Sequence, residues 1–190
     1  PSPYLPPNLV EEARVRVLQP TVDGMRRRGT PYVGILYAGL MLTEQGPRVL
    51  EFNCRFGDPE TQVLLPLLEN DLTDIFLACI AGRLDQVDVR WKSAHATCVV
   101  QASGGYPGAY EKGKPITGVD QANARSNTVV FQAGTALKDG QLLTAGGRVL
   151  AVTATGPTLE EARARAYAGI DLIDFEGAQN RSDIAAGAAT

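Results

Sequence analysis

Along the chain the spacing of apolar positions switches between the helical and the extended period, and the switches outline its elements. Asn8 followed by Glu11 has the form of a capping box and predicts a helix over roughly 9–28. Pro20 falls inside it, predicting a kink or two abutting helices, and Gly29-Thr30-Pro31 ends it. Tyr32 to Thr43 is rich in aromatic and branched residues. Glu44-Gln45-Gly46-Pro47 then reads as a turn, and Arg48 to Cys54 as a return strand, so the pair predicts an antiparallel hairpin. After Pro59 an apolar helix is predicted to about Leu68, although Pro66 lies within it. Over Asp71 to Ala81, Leu72, Ile75, Phe76 and Cys79 fall on one helical face, closed by Gly82.

Gln86 to Ser93 is short and polar around the lone Trp91, and a domain boundary is placed there, dividing the chain into 1–90 and 91–190. Beyond it, short strands are predicted at 94–102, about 128–133 and 148–154. A hairpin over 135–144 turns at Asp139-Gly140. Thr158 with Glu161 is a second capping box, for a helix of about 158–173. The closing Ala185-Ala186-Gly187-Ala188-Ala189-Thr190 carries little packing information and is expected to fray. The pattern as a whole is that of an α+β chain.

Composition narrows the function. The 190 residues allow one large domain or two small ones, and 44% apolar content supports a real core. The net charge of −3 argues against a nucleic-acid groove, which needs clustered Lys and Arg. The one basic cluster, Arg26-Arg27-Arg28, falls at a predicted helix end, where cations complement the helix dipole. No apolar run approaches the ~20 residues of a membrane span. The chain opens Pro1-Ser2-Pro3 without an initiator Met, which reads as an interior cut from a longer protein. Cys54, Cys79 and Cys98 are odd in number and lack C-x-x-C spacing, pointing to a reducing cytosol rather than a disulfide framework or zinc site. Without secretion the Asn180-Arg181-Ser182 sequon means little. His95 is the single histidine and lies in an alternating apolar segment, so it reads as a strand residue. Hydrolase chemistry built on a histidine base is accordingly set aside, and any reaction here must work by positioning and charge.

The richest candidate chemistry follows Val49-Leu50. On a strand, residues two apart share a face, so Glu51 and Asn53 present two hard oxygens side by side while Phe52 turns the other way. Such a pair suits Mg²⁺, which takes its remaining contacts from water and substrate phosphates. A polar strand end running into a helix cap at Asp58-Pro59 explains the same residues equally well. Arg55 could neutralise a transferring phosphoryl group, or pair with Asp58 or Glu60. Gly108 to Lys114 copies the first seven positions of a P-loop, but Pro115 replaces the hydroxyl residue and no strand–loop–helix context is predicted, so that reading is rejected. Gly104-Gly105-Tyr106-Pro107-Gly108 could let backbone approach a ligand or simply form a tight turn. Gly146-Gly147-Arg148 delivers an Arg from a glycine-backed turn, suited to bidentate phosphate recognition or to a surface ion pair.

Leu36-Tyr37-Ala38-Gly39-Leu40-Met41, followed by Glu51-Phe52-Asn53-Cys54-Arg55-Phe56-Gly57-Asp58-Pro59-Glu60-Thr61-Gln62, closely resembles the phosphoribosylamine–glycine ligases (glycinamide ribonucleotide synthetases), ATP-grasp enzymes of purine synthesis. Gly104 to Gly108, Ala133-Gly134-Thr135 and Gly146-Gly147-Arg148-Val149-Leu150 fit the same family in order. The resemblance implies the second half of an ATP-grasp domain followed by a small β-rich C-terminal domain. It implies the joining of glycine to 5-phosphoribosylamine through a glycyl phosphate, with ATP consumed. Glu51 and Asn53 would then hold Mg²⁺ or Mn²⁺ against the ATP phosphates, and Leu50 would lie near the adenine. Arg55 would face the phosphoryl group, Asp58 would orient substrate, and Arg148 would meet the ribose-phosphate end. The preceding portion of the same enzyme becomes the expected partner, with neither nucleic acid nor membrane involved, and the fragment alone is expected to be inactive.

Two departures stand out. Many ATP-grasp enzymes bring a third metal ligand, a carboxylate, from the preceding strand, where this chain has Tyr37-Ala38-Gly39. The family's ending usually reads Arg-x-Asp-Ile-Gly-x-Arg, whereas here Arg181-Ser182-Asp183-Ile184 runs into Ala185-Ala186-Gly187. The alternatives are a carboxylase-type ATP-grasp ligase, which shares the Glu-x-Asn strand but not the Arg55 to Glu60 run, and a non-catalytic module that kept the fold.

Overall fold

The structure is a computed structural model that describes residues 7–187. In chain order the elements are α1 (Pro7–Ala13), a π-helical turn (Arg14–Leu18), α2 (Gln19–Arg27), β1 (Tyr37–Thr43), β2 (Gly46–Asn53), α3 (Thr61–Leu64), α4 (Leu72–Ile80), β3 (His95–Ala102), α5 (Val119–Asn123), β4 (Thr128–Gln132), β5 (Thr135–Lys138), β6 (Gln141–Thr144), β7 (Arg148–Gly156) and α6 (Leu159–Ile170). They form two compact units. One ends at Asp58 and resumes over Glu69–Arg90; the other takes Pro59–Leu68 and the residues from Trp91 onward.

In the first unit, helical backbone runs without a break from Pro7 to Arg27, and Asn8 lies inside it rather than at its cap. Proline is tolerated as a first helical residue because its missing N–H would be unpaired there anyway. The expected irregularity at Pro20 takes the form of the π turn just before it, since a residue without an N–H cannot continue the i→i−4 ladder. Arg16 pairs with Glu12 one turn back and also reaches the Gln45 carbonyl at 3.5 Å, tying the helix to the hairpin turn. β1 begins at Tyr37, five residues later than the sequence suggests, because Gly34 at φ +139° breaks the extended run. β1 and β2 pair antiparallel in a two-stranded sheet. Asp71 caps α4 by accepting from the Thr73 amide at 2.7 Å. This unit buries little apolar surface: Val17 and Ala78 are its buried hydrophobics, while Met41, Leu42, Val49, Leu50, Phe52, Phe76, Leu77 and Ile80 are exposed. A lone hairpin is marginal in water, and exposed apolar residues in this number are unusual for a closed domain.

The second unit has a closed core. β3, β7 and β4 form an antiparallel sheet in the order β3–β7–β4, with Val99 opposite Val152 and Val130 opposite Val152 from the other side. On that face lies α6, whose buried stripe is Ala162, Ala166, Gly169 and Ile170, spaced four and three apart as a helix requires. The stripe is small for a reason: a methyl added at Gly169 would sit 2.8 Å from a Val152 methyl. Thr158 starts α6 by accepting from the Glu161 amide at 3.1 Å, as the capping box predicts. β5 and β6 pair across Asp139-Gly140, at φ +51° and +78°, the conformation a two-residue hairpin needs. Pro66 converts the helix predicted after Pro59 into four α residues and a 3₁₀ turn, Leu65–Leu67. α5 is an element the sequence does not announce. It is five residues long and follows Gly118, whose φ of +82° and crowding by the Leu172 carbonyl leave no place for a side chain.

Thr158→Ala is expected to cost about 1 kcal/mol of stability in urea unfolding. Gly118→Ala should cost more, with about 1–2 kcal/mol from left-handed strain alone and the Leu172 clash added to it. Equal midpoints for the two variants would contradict this account of the turn.

Candidate functional site

β2 carries the candidate metal pair. Tyr37 faces Asn53, Ala38 faces Phe52 and Gly39 faces Glu51, so the run from Glu51 to Asn53 keeps the regular pleat. The two side chains share a face as the period-2 reading predicts. The Asn53 amide nitrogen donates to Glu51 Oε1 at 3.0 Å. Gly39 creates the space: a β-carbon there would lie 3.1 Å from Glu51 Cγ, so the Glu51 stem rests over bare backbone. One step back the register shifts, Leu40 facing Val49, which leaves Leu50 as the extra residue of a β-bulge. Leu50 is 64% exposed.

The donor set fits a hard cation. With the Asn53 nitrogen turned to Glu51, the second carboxylate oxygen and the amide carbonyl oxygen are the acceptors on offer. A carboxylate plus a carbonyl, with the rest of the shell left to water and phosphate, is the composition Mg²⁺ and Mn²⁺ accept. Among the described residues no three His, Cys, Asp or Glu side chains gather around one point. The strand opposite contributes glycine, not a further carboxylate.

Beyond β2 the chain turns through Cys54 to Asp58. Arg55 is exposed and donates to the Phe56 carbonyl at 2.8 Å. The Phe56 ring lies against Phe76 of α4, centroids 6.1 Å apart, which anchors the loop from the residue next to Arg55. Asp58 is exposed at the end of this unit. Tyr32, whose hydroxyl donates to the Ile35 carbonyl, has its phenol pKa pushed up, by burial first and then by the neighbouring Cys54 and Cys79 thiols. Leu50, Glu51, Asn53, Arg55 and Asp58 therefore all belong to one strand and its following loop.

Arg148 belongs to the second unit, exposed at the head of β7. The register shifts there too: Gln101 faces Leu150 and Ala102 faces Arg148, leaving Val149 as the extra residue. The glycine-rich segments named in the sequence meet at this point. Gly134 donates to the Arg148 carbonyl at 2.9 Å, and a β-carbon on Gly134 would lie 2.6 Å from it. The P-loop look-alike is followed by irregular chain up to α5. His95 is an exposed residue at the start of edge strand β3. Cys54, Cys79 and Cys98 form no disulfide among the described residues.

Two features of the site escape the pattern reading. The bulge at Leu50 had one trace, the consecutive apolar pair Val49-Leu50 in an otherwise alternating strand. The role of Gly39 had none, because a glycine in a strand does not say which side chain it makes room for.

Residues 96–187 match the family described as phosphoribosylglycinamide synthetase, C domain, and residues 1–61 match phosphoribosylglycinamide synthetase, ATP-grasp (A) domain. A phosphoribosylamine–glycine ligase of Synechocystis is 50% identical over 97% of this chain, which spans 44% of that protein. The human trifunctional purine biosynthetic protein adenosine-3 is 52% identical over 97% of the chain, here 18% of the relative. The crystal structure of phosphoribosylamine–glycine ligase from Thermotoga maritima superposes with a TM-score of 0.81 at 39% identity, covering 94% of this chain and 44% of that one. The chain thus spans less than half the length of each of these relatives.

Gly39→Val puts branches where the Glu51 stem lies and is expected to cost about 1–3 kcal/mol through overpacking, seen as a lower thermal midpoint. A variant that melts with the parent would show that Glu51 does not rest on Gly39.

Proposed function

The chain belongs to the phosphoribosylglycinamide synthetase family, and we propose that it supplies one wall of the ATP site of a phosphoribosylamine–glycine ligase. On this reading residues 1–90 close an ATP-grasp domain and 91–190 form the small β-rich C-terminal domain. The preceding half of the same polypeptide supplies the rest of the site, in the cytosol. The exposed apolar faces of the β1–β2 hairpin support this, because they need a cover that the described residues do not provide.

The observation that carries the reading is the Glu51–Asn53 pair, held side by side over Gly39 on the strand that leads into the Arg55 to Gln62 motif. Glu51 and Asn53 would hold Mg²⁺ or Mn²⁺, which when bound supplies positive charge to the ATP phosphates. Leu50, turned outward at the bulge, offers an apolar surface to the adenine. Arg55 stabilises the phosphoryl group in flight, a role that needs a cation rather than a proton donor. Asp58 accepts hydrogen bonds that orient the substrate, and Arg148 grips the phosphate of 5-phosphoribosylamine in bidentate fashion.

The chemistry balances in two steps. A glycine carboxylate oxygen attacks the γ-phosphorus, the bridging oxygen leaves with ADP, and a glycyl phosphate results. The amine of phosphoribosylamine then attacks the acyl carbon, loses a proton, and expels inorganic phosphate. None of this requires a histidine or a nucleophilic side chain, in keeping with a chain whose one histidine is a surface strand residue.

The test is glycine- and phosphoribosylamine-dependent ADP release by the full-length parent. Glu51→Ala and Asn53→Ala should each lower turnover by on the order of 10²-fold, while the 190-residue chain alone should be silent. Intact turnover in both variants would remove the metal assignment. ADP release indifferent to glycine would remove the reaction, and turnover by the isolated chain would show that the site needs no second wall.

A further inference from the structure

Arg148 follows a turn of two glycines, a sequence that by itself leaves the backbone free. In the structure that turn is clamped on every side. Ser103 donates to it twice, from its amide to the Gly147 carbonyl at 2.8 Å and from its hydroxyl to the Gly146 carbonyl at 2.9 Å. The Tyr106 ring lies where a β-carbon of Gly147 would stand, and the Tyr110 ring edge is 3.0 Å from the same point. Gly134 closes the opposite side, with its carbonyl accepting from Ala145 at 2.7 Å and its amide donating to Arg148.

The clamp is itself held by one side chain that no motif singles out. Gln179 pairs its backbone with Ala102 at the end of β3, at 2.8 and 2.9 Å. Its side-chain amide then donates to both the Ser103 carbonyl, at 3.1 Å, and the Tyr106 carbonyl, at 2.9 Å. Gln179 rides on the closing segment of the chain, which α6 straps down. Arg163 donates to the Ile184 and Ser182 carbonyls at 2.8 Å each, with its guanidinium 4.8 Å from the centre of the Tyr167 ring. The Tyr167 hydroxyl donates to the Arg181 carbonyl at 2.7 Å and accepts from the Ile184 amide at 3.1 Å. A continuous set of contacts therefore runs from α6 through the strap to Gln179, then to Tyr106 and the turn that launches Arg148.

We propose that Gln179 and Tyr106 are positioning residues for Arg148, and that the C-terminal strap thereby tunes affinity for the phosphorylated sugar substrate. The proposal rests on the reading of Arg148 as the ribose-phosphate ligand. A bidentate guanidinium contact tolerates little displacement, because both N–H donors must meet their oxygens together. Loosening the turn therefore costs phosphate binding first, and leaves ATP and glycine binding where they were. The segment from Gln179 to Ile184 gains a role on this account, as the tether of a binding residue rather than a contact with substrate.

Steady-state kinetics of the full-length enzyme, varying each substrate in turn, test this. Arg148→Ala should raise the KM for phosphoribosylamine by about 10- to 100-fold. Gln179→Glu, which cannot donate to the two carbonyls, and Tyr106→Ala, which empties the space over Gly147, should each raise that KM by about three- to tenfold. Both should leave the KM for ATP and glycine and the kcat within about twofold, and Tyr106→Phe should restore the parental KM because the ring is what packs on Gly147. If Arg148→Ala raises the KM but the Gln179 and Tyr106 variants do not, the positioning proposal fails and the reading of Arg148 stands. If Arg148→Ala leaves it unchanged, the reading itself fails and the proposal with it. A rise in all three KM values, or a fall in kcat alone, would mean general disruption and would also overturn the proposal.

Discussion

The close approach of α6 to β7 is the contact on which the second unit depends. Alanines and a glycine form the buried stripe of the helix, and Val99, Leu150, Val152 and Ala154 form the facing surface. Bulk taken from the helix is repaid by the branched residues of the sheet, so the layers meet with no room for another methyl at Gly169. β7 is central in its sheet and buried along most of its length. Its first residue, Arg148, is thus an exposed cation at the end of a strand that is paired on both sides.

The first unit is organised by the opposite condition. Its hairpin has apolar residues on both faces and almost no core of its own, yet it carries the densest set of candidate functional groups in the chain. The same device recurs in both units: a β-bulge stands beside Glu51, with Leu50 the extra residue, and another beside Arg148, with Val149 the extra residue.

Local signals were read well wherever the physics was local. The Asp139-Gly140 hairpin, the Thr158–Glu161 cap of α6 and the strands of the second unit all appear close to where the pattern puts them, because turn chemistry and capping act within four residues. The Glu51–Asn53 pairing was legible for the same reason, since the pleat alone places the two side chains together. Readings that extended further fared worse. The predicted capping box at Asn8 proved to be helix interior, the strand expected from Tyr32 starts at Tyr37, and the helix after Pro59 dissolves into a 3₁₀ turn at Pro66. In the last two a glycine with positive φ, Gly34, and a proline, Pro66, overrode an apolar pattern that looked continuous.

The sequence by itself determined which chemical groups are available and which neighbours share a strand face. It placed two oxygens on β2, an arginine and an aspartate in the loop behind them, and a glycine-backed arginine at the head of β7. Only the tertiary structure decided how those groups are held. Gly39 makes room for Glu51 because it happens to be its cross-strand partner, and Gln179 braces Tyr106 because a strap more than seventy residues further along returns to the end of β3. Register and long-range return are properties of chain closure, set by the balance of packing over the whole unit, and no window of sequence contains them.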